Sequence, residues 1–330
     1  DNGLDWTSTI ALIPWNIYMF YGDHKLLADC YENIKRYVDY VDRTSPTGLT
    51  SWGRGDWVPV KSHSSKELTS SVYFYVDTKI LANAAKMFNK TEDYKYYSAL
   101  ANKIKNAIND KFLNRETGIY GSGVQTEQSV PLQWGIVPEE LKRKVARNLA
   151  KQVEAAGFHL DVGVLGAKAI LNALSENGEA ETAYKLAAQD TYPSWGCWIA
   201  NGATTLLENW DLNATRDISD NHMMFGEIGG WFYKGLGGIF PDPENPGFKH
   251  ILLRPNFPSG LNELEARYQS PYGEICSKWE RKKNRIVYHV TVPANSTATF
   301  YAPDNVKGER AVKLEAGKHI LELPIKRAVY

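Results

Sequence analysis

Cysteine is scarce in this chain of 330 residues, and the three cysteines, Cys30, Cys197 and Cys276, lie far apart. They form no CxxC pair and no Cys-His pairing, so the sequence predicts neither a disulfide framework nor a zinc site. We expect them to be small buried apolar side chains, and we expect the protein to use no metal and no cofactor.

Long apolar runs and an excess of one charge are missing as well. No run of about 18 apolar residues predicts a membrane-spanning helix, and no charged-then-apolar segment typical of a signal peptide opens the chain. The 38 basic residues balance the 38 acidic ones, so no net field attracts the protein to nucleic acid or to an anionic membrane. We expect neither as a partner, and the sequence leaves the compartment and the oligomeric state open.

Aromatic side chains, in contrast, are plentiful, with ten Trp, 19 Tyr and 11 Phe making up 12% of the chain. Flat rings of this kind stack on the C–H faces of sugars, and they also fill large helical cores. No Walker loop, Rossmann fingerprint, G-x-S-x-G elbow or Cys-His nucleophile arrangement points to another chemistry. The composition therefore suits a carbohydrate-binding protein without identifying one.

Helical periodicity dominates the chain from Thr7 to about Gly237, where apolar residues recur at i, i+3, i+4 and i+7. Amphipathic helices are predicted at residues 26–41, 72–88, 94–112, 138–156, 164–174 and 180–188. Two further segments, 10–21 and about 222–236, are apolar or aromatic on most faces and are predicted as buried helices. The alternation indicates a mainly α fold, an (α/α)6 toroid whose inner helices line a cup.

The number of helices is lower than a closed toroid needs. About ten helices are predicted, whereas six inner and six outer helices make twelve. The deficit falls at the amino terminus, where the chain begins Asp1-Asn2-Gly3 without an initiator methionine. We therefore interpret residues 1–238 as a helical barrel domain whose N-terminal portion is missing.

The composition changes from about Phe240. Five prolines between Pro241 and Pro258 mark a linker. Short runs with strand-like alternation then follow at residues 251–253, 264–268, 273–280, 285–292 and 296–301. They predict that residues 239–330 form a small antiparallel β-sandwich domain.

Polar and aromatic residues that interrupt the helical pattern concentrate in four connecting segments, where a cup-shaped scaffold places a binding site. The segments are residues 52–57, 123–127, 191–196 continuing to 204–211, and 219–226. Hydrolysis of a glycosidic bond requires two carboxyl groups, one protonated and one ionised. The candidate carboxyls in these segments are Asp56, Glu127, Glu208 and Asp220.

Glu208 is the strongest of these candidates, because it stands between Trp195 and Trp210 and follows an apolar stretch whose burial would tune its pKa. The alternative is a helix-surface Glu at an aromatic-rich end. Asp56 also has a structural alternative, in which it caps or holds the Gly-rich turn around it. On spacing alone, His222 is more typical of a core histidine bonded to a backbone carbonyl, and no partner at i+3 or i+4 supports a metal role.

Taken together and in order, the motifs of these segments resemble glycoside hydrolase family 78, the α-L-rhamnosidases. The matching stretches are Ile13-Pro14-Trp15 with Tyr21-Gly22-Asp23, Gly55-Asp56-Trp57, Thr191-Tyr192-Pro193-Ser194-Trp195-Gly196, Gly202-Ala203-Thr204-Thr205 with Glu208 and Trp210-Asp211, and Asn221-His222 with Phe225-Gly226. The resemblance covers nearly the whole chain, including the C-terminal sandwich.

The resemblance implies an inverting hydrolase that releases terminal rhamnose from rhamnose-containing oligosaccharides or glycosides. Glu208 would be the general base that activates water. His222 would contact the sugar, and tryptophans would line its apolar face. The substrate-binding residues expected from the matching positions are Asp56, Trp57, Gln125, Trp195, Trp210 and His222.

The chain departs from the family at the general acid. The family carries this acid in an Asp-Cys-Pro-x-Arg-Glu-type segment upstream of the helix with Pro14-Trp15, and this chain has no such segment. Gly123-Val124 stand where the family tends to have an Asp, and Leu207 stands where it has Trp. The chain is therefore either a C-terminal fragment of a longer enzyme, which we favour, or an inactive relative.

Two other functions stay open on the sequence. Another (α/α)6 glycosidase that acts on a different sugar would share the architecture, since a fold does not fix the substrate. A non-catalytic carbohydrate-binding relic would keep the aromatic cup and lack the acid. Its binding would depend on Trp57, Trp195, Trp210 and His222 more than on Glu208.

Overall fold

The computed structural model describes residues 3–326, which divide into two compact units. The first unit comprises the residues up to Trp15 together with His24–Glu227, and the second comprises Asn16–Asp23 together with the residues from Ile228 onward. The first division falls inside one helix, Thr9–Tyr21, so each half of that helix belongs to a different unit. The first unit is helical, and the second consists mainly of strands.

Helices account for most of the ordered backbone of the first unit. The helices α1 to α11 are Leu4–Thr7, Thr9–Tyr21, Lys25–Thr44, Lys66–Met87, Thr91–Phe112, Gln125–Gln133, Lys142–Ala155, Val164–Glu176, Ala180–Ala187, Trp195–Ala200 and Glu227–Trp231. The second half of α2 and the residues of α11 after Glu227 belong to the second unit. Two 3-10 turns, Glu139–Leu141 and Met223–Phe225, and a short antiparallel pair, β1 (Leu113–Asn114) with β2 (Ile119–Tyr120), complete this part. No helix within residues 3–326 has both the length and the apolar character needed to cross a bilayer.

Buried and amphipathic helices alternate along the first unit. Helices α4, α6 and α8 are buried on most sides, whereas α3, α5, α7 and α9 each bury one stripe. In α3 that stripe is Leu27, Tyr31, Ile34, Val38 and Val41, the spacing of one helix face. The buried helices α4, α6 and α8 pack against α5, α7 and α9, respectively. This arrangement confirms the predicted mainly α fold of inner and outer helices.

Most of the predicted helices are present, and one apolar segment differs. Helix α4 begins six residues before the predicted residue 72, because Ser65 caps it by accepting a hydrogen bond from the Leu68 N–H (3.3 Å). The segment 222–236, predicted as one helix, is instead a 3-10 turn, the short helix α11 and a π-helical turn, Phe232–Leu236. Glycine is a poor helix former, and five glycines fall between residues 226 and 237.

Eight strands form the second unit. They are β3 (Ile239–Pro241), β4 (His250–Leu253), β5 (Glu263–Ser270), β6 (Gly273–Arg281), β7 (Arg285–Val292), β8 (Thr297–Tyr301), β9 (Ala311–Leu314) and β10 (Gly317–Pro324). They make two four-stranded sheets with the orders β10-β7-β6-β5 and β3-β4-β8-β9. One apolar cluster contains residues of both sheets, including Trp279 and Tyr288 of one and Phe300 of the other. The predicted β-sandwich is therefore confirmed.

The strand pairing differs in detail from the prediction. Strands β4 and β8 pair in parallel, while the other pairings described between residues 3 and 326 are antiparallel. Three strands, β3, β9 and β10, were not predicted. Strand β3 is short and ends at Pro241, and β9 and β10 each bury a single side chain, Leu314 and Leu323, so their apolar signal is weak.

Candidate active site

Asp56 is buried and accepts hydrogen bonds through both carboxylate oxygens. Oδ1 accepts from the backbone N–H groups of Leu165 (2.7 Å) and Gly166 (3.1 Å). Oδ2 accepts from the N–H of Gly163 (2.8 Å) and from the hydroxyl of Thr126. Burial raises the pKa of Asp56, and these hydrogen bonds act in the opposite direction. Because the amide donors lie at the start of α8, the contacts favour a structural role for Asp56, but at this distant helix start and not in the Gly-rich turn around Asp56, as the alternative had it.

Glu127 fixes two other segments in a similar way. Its Oε1 accepts from the N–H of Ser65 (2.9 Å), which caps α4. Its Oε2 accepts from the N–H and the hydroxyl of Ser122, at 2.7 and 2.8 Å. Glu127 was predicted to lie in a connecting segment, but it belongs to the first turn of the buried helix α6. Its carboxylate therefore ties the start of α4 to the segment that precedes α6.

Gln125 and Asp161 hold the segment before α8. The Gln125 side chain donates to the carbonyl of His159 (3.1 Å) and accepts from the N–H of Asp161 (2.9 Å). The Asp161 carboxylate in turn accepts from the N–H groups of Lys61 (2.9 Å) and Ser62 (3.0 Å) and from the Ser62 hydroxyl. Sequence reasoning missed Asp161, whose only local signal is its position just before Gly163 and the predicted helix. We call Asp56, Gln125, Glu127 and Asp161 the bracing network.

Trp57 lies where the bracing network brings two backbones together. A Cβ atom on Gly163 would stand 2.2 Å from the Trp57 carbonyl oxygen, so this position requires glycine. The same carbonyl accepts from the N–H of Val164 (2.9 Å). The Trp57 ring is partly exposed, and the Arg54 guanidinium lies 5.7 Å from its centre. The backbone of Trp57 is thus fixed, while its side chain remains partly exposed.

Trp195 and Trp210 are buried, at 5% and 1% exposure. The Trp210 ring stacks on Trp198 with 4.8 Å between centres and meets Trp195 edge-on at 5.2 Å. The indole N–H of Trp195 donates to the carbonyl of Phe225 (3.1 Å), and that of Trp210 donates to the carbonyl of Val162 (2.9 Å). Their contacts are those of a packed core with every polar group satisfied.

Glu208 lies in residues 201–222, which form neither helix nor strand. The alternative of a helix-surface Glu is therefore wrong. The Glu208 N–H donates to the carbonyl of Ser219 (2.9 Å), and the Ser219 N–H donates back to Glu208 Oε2 (3.1 Å). The N–H of His222 donates to the carbonyl of Leu206 (2.8 Å). Two arms of the segment thus run side by side and bring Glu208 and His222 together.

The Glu208 and His222 side chains form the chemically distinctive pair of this region. His222 Nε2 lies 3.9 Å from Glu208 Oε1, beyond a direct hydrogen bond, and the two side chains are 39% and 20% exposed, respectively. Asp56 and Glu127 are occupied by the bracing network, and Asp220 is exposed. Partial burial, one fixed oxygen and a neighbouring imidazole make Glu208 the candidate carboxyl best suited to proton transfer.

The described residues offer no obvious metal centre. Within residues 3–326, no three His, Cys, Asp or Glu side chains are gathered closely enough to bind a metal ion. The cysteines are free thiols, with Cys197 and Cys276 buried and Cys30 partly exposed.

Paired inner and outer helices, with a carboxylate and an imidazole on one loop beside buried tryptophans, define a helical-barrel protein with a candidate acid–base pair. Residues 1–236 match the family described as bacterial alpha-L-rhamnosidase 6 hairpin glycosidase domain. Residues 238–317 match the bacterial alpha-L-rhamnosidase C-terminal domain. The chain belongs to the bacterial α-L-rhamnosidase family.

Individual relatives agree with this assignment. An α-L-rhamnosidase of Formosa agariphila is 30% identical over 313 residues, which cover 90% of this chain and 34% of the relative. The solved α-L-rhamnosidase of Dictyoglumus thermophilum is 32% identical with a TM-score of 0.89, over 98% of this chain and 40% of that one. The Streptomyces avermitilis enzyme, solved in complex with L-rhamnose, is 28% identical with a TM-score of 0.84, over 97% and 32%. These findings confirm the predicted family and the (α/α)6 architecture.

The chain is much shorter than these relatives. It spans between 29% and 38% of the length of the four curated α-L-rhamnosidases that it matches. The activity of the relatives is therefore carried to this chain only as a proposal.

Proposed function

We propose that this chain is the part of an inverting α-L-rhamnosidase that carries the general base, Glu208. One observation carries the proposal: Glu208 faces His222 with one carboxylate oxygen, while Asp56 and Glu127 are engaged in holding loops. Membership of the family and the L-rhamnose complex of the S. avermitilis relative support a rhamnoside as substrate. The proposed substrate is a terminal α-L-rhamnosyl group of a glycoside or oligosaccharide.

The proposed reaction replaces the glycosidic bond by a bond to water. Glu208 Oε1 accepts a proton from the water whose oxygen attacks the anomeric carbon, while a carboxylic acid on the other side protonates the leaving oxygen. The hydrogen bond from the Ser219 N–H to Oε2 orients the carboxylate (3.1 Å). Attack from the opposite face converts the α-glycoside into β-L-rhamnose.

The surrounding residues are proposed to divide between sugar contact and support. Trp57 has a partly exposed ring and is the aromatic that we place against the apolar face of the sugar. Trp195 and Trp210 support the loop that carries Glu208, since their rings pack against other aromatic side chains. Asp56 and Gln125 position the neighbouring segments instead of binding the sugar directly.

The general acid is proposed to lie on a segment outside these 330 residues. No Asp-Cys-Pro-x-Arg-Glu-type segment occurs in the sequence, and the chain spans at most 38% of its curated relatives. We further propose that residues 1–238 form the catalytic barrel domain and residues 239–330 a C-terminal β-sandwich domain. The matches at 1–236 and 238–317 support this division.

Two substrates with different leaving groups distinguish the contribution of the general base from that of the general acid. α-L-Rhamnosyl fluoride leaves without a proton, whereas an alkyl α-L-rhamnoside requires one. We expect the 330-residue chain to hydrolyse the fluoride and to leave the alkyl rhamnoside intact. Glu208→Gln keeps the shape and removes the base, so fluoride hydrolysis should fall about 100-fold or more. Asp220→Asn, an exposed carboxyl of the same loop, is the matched control and should retain the rate.

The anomer released first, followed by proton NMR, tests the stereochemistry. β-L-Rhamnose is expected, and initial release of the α anomer would contradict inversion. Equal rates for the parent chain and Glu208→Gln would remove Glu208 as the base. Binding of L-rhamnose without any hydrolysis of the fluoride would instead favour the carbohydrate-binding alternative.

A further inference from the structure

The imidazole of His222 is held in one tautomer by the backbone that follows it. His222 caps the 3-10 turn Met223–Phe225, and its Nδ1 accepts a hydrogen bond from the N–H of Met224 (3.2 Å). A backbone N–H can only donate, so Nδ1 must present a lone pair and carry no proton. In a neutral imidazole, the single ring proton then lies on Nε2.

Nε2 is also the ring nitrogen that faces Glu208. It lies 3.9 Å from Oε1, while the other carboxylate oxygen, Oε2, accepts from the Ser219 N–H. A donor and an acceptor thus face each other across a gap too wide for a direct hydrogen bond. A single water oxygen about 2.8 Å from both atoms, a normal hydrogen-bond distance, would bridge the gap with an angle of about 90° at that oxygen.

We propose that His222 is a positioning residue for the reacting water: Nε2–H donates to the water oxygen while Glu208 Oε1 accepts a hydrogen bond from the same water. This inference rests on the proposed function. The water uses one lone pair for His222 and one O–H for Glu208. Its second lone pair forms the bond to the anomeric carbon, the leaving group departs with the electrons of the broken bond, and one proton ends on Glu208.

The hydrogen bond from the Met224 N–H to Nδ1 selects one tautomer of His222. The opposite tautomer would turn a lone pair toward the Glu208 carboxylate and would place an N–H against the N–H of Met224. Both contacts would then be repulsive, whereas the proposed tautomer makes both of them favourable. The role differs from the sugar contact expected from the family resemblance, because His222 acts here on the oxygen that Glu208 deprotonates.

Nitrogen NMR of the histidine side chains tests the tautomer without any need for activity. The chain contains seven histidines, and His222→Asn identifies the His222 signals by their loss. We expect Nδ1 to resonate as an unprotonated nitrogen and Nε2 as a protonated one, in the parent chain and in Glu208→Gln alike, because Met224 selects the tautomer. The reversed pattern, or two protonated nitrogens at neutral pH, would overturn the proposal.

Kinetics with α-L-rhamnosyl fluoride tests the positioning role. Asn is a favoured N-cap residue, so His222→Asn keeps an acceptor for Met224 and loses the donor that faces Glu208. We expect kcat to fall about 100-fold, since the water is misplaced, while KM changes less than about threefold. A raised KM with an unchanged kcat would assign His222 to the sugar and overturn the proposal.

Different results of these measurements would overturn the proposed function and the proposed role of His222. If the parent chain binds L-rhamnose but does not hydrolyse the fluoride, the proposed function falls and the positioning of a reacting water falls with it, whatever the tautomer. If the parent chain is active and the nitrogen spectrum is reversed, only the role of His222 is overturned. Circular dichroism of His222→Asn confirms that the variant is folded before either comparison is made.

Discussion

The buried carboxylates of the bracing network differ from Glu208 in how many donors hold them. Asp56 accepts four hydrogen bonds and Glu127 accepts three. Among the described contacts, the carboxylate of Glu208 accepts one, from Ser219, and its other oxygen faces His222. A carboxylate surrounded by fixed donors stabilises the fold, whereas one with a free oxygen keeps its capacity to accept a proton. The contacts thus assign a structural role to Asp56 and Glu127, and they are consistent with the catalytic role that we propose for Glu208.

Removal of a bracing carboxylate should have the largest effect on stability. Asp56→Ala leaves four buried donors without an acceptor, so the free energy of unfolding should fall by about 3–5 kcal/mol. Urea denaturation followed by circular dichroism measures the loss. Glu208→Ala makes the same kind of deletion and should cost less than about 1 kcal/mol. Equal losses would mean that the two carboxylates do not differ as the contacts indicate.

Two tryptophans allow a second comparison, between a buried ring that supports the fold and a partly exposed ring that we place against the sugar. Trp210→Ala removes a ring that is 1% exposed and packed on three other rings, so we expect a loss of about 3 kcal/mol or more. Trp57→Ala removes a partly exposed ring and should cost less than about 1.5 kcal/mol, but it should weaken L-rhamnose binding measured by calorimetry. Unchanged binding in Trp57→Ala would contradict the sugar contact proposed for this ring.

Asp77 offers a buried carboxyl with almost no donors. The Ser8 hydroxyl lies 2.6 Å from the carbonyl of Leu4 and 2.7 Å from Asp77 Oδ2. The single hydroxyl hydrogen is shared between these two acceptors, and Asp77 Oδ1 has no hydrogen-bond partner among the described residues. Burial accordingly raises the pKa of Asp77 well above its ordinary value of 3.8. Asp77 thus has far fewer donors than Asp56, and its burial favours the protonated form of the carboxyl.

The sign of the resulting pH dependence follows from proton linkage. Because the folded state holds the proton more tightly, Asp77 lowers stability as pH rises from 3.8 toward its raised folded pKa. The slope approaches about 1.4 kcal/mol per pH unit in that window. Asp77→Asn keeps the shape and lacks this term, so its stability relative to the parent chain should improve with rising pH. Urea titrations between about pH 5 and pH 8 measure the difference, and a constant difference would contradict the raised pKa of Asp77.

The smallest effect is expected at Asp220. Its side chain is exposed in the same segment as Glu208, so Asp220→Asn should change the free energy of unfolding by less than about 0.5 kcal/mol. Hydrolysis of α-L-rhamnosyl fluoride should stay within about threefold of the parent rate. A loss of rate as large as that of Glu208→Gln would indicate that Asp220 is the catalytic carboxyl.

Local patterns allowed the amphipathic helices to be predicted, because α3, α5, α7 and α9 each bury a stripe that recurs at helical spacing. The stripe of α3, from Leu27 to Val41, is an example. The same reasoning failed at residues 222–236, where glycines break an apolar run. It also missed strands with mostly exposed side chains, such as β10.

Long-range contacts at the site could not be read from such patterns. Asp56 accepts a hydrogen bond from Gly166, which lies 110 residues further along the chain. No sequence feature near Asp56 predicts this partner. Trp210 could not be told apart from a sugar-stacking residue, since an aromatic side chain has the same sequence signal whether it packs on a sugar or on Trp198. Motif resemblance did point to Glu208 and His222, but the 3.9 Å between them depends on backbone pairing within an aperiodic segment.

The central claim is that Glu208 acts in chemistry while the bracing carboxylates act in folding. The most direct test is the rate of β-L-rhamnose release from α-L-rhamnosyl fluoride by Glu208→Gln, measured beside its free energy of unfolding. The account predicts a rate lower by about 100-fold or more with an unfolding free energy within about 0.5 kcal/mol of the parent chain. A variant that keeps the parent rate would contradict the account.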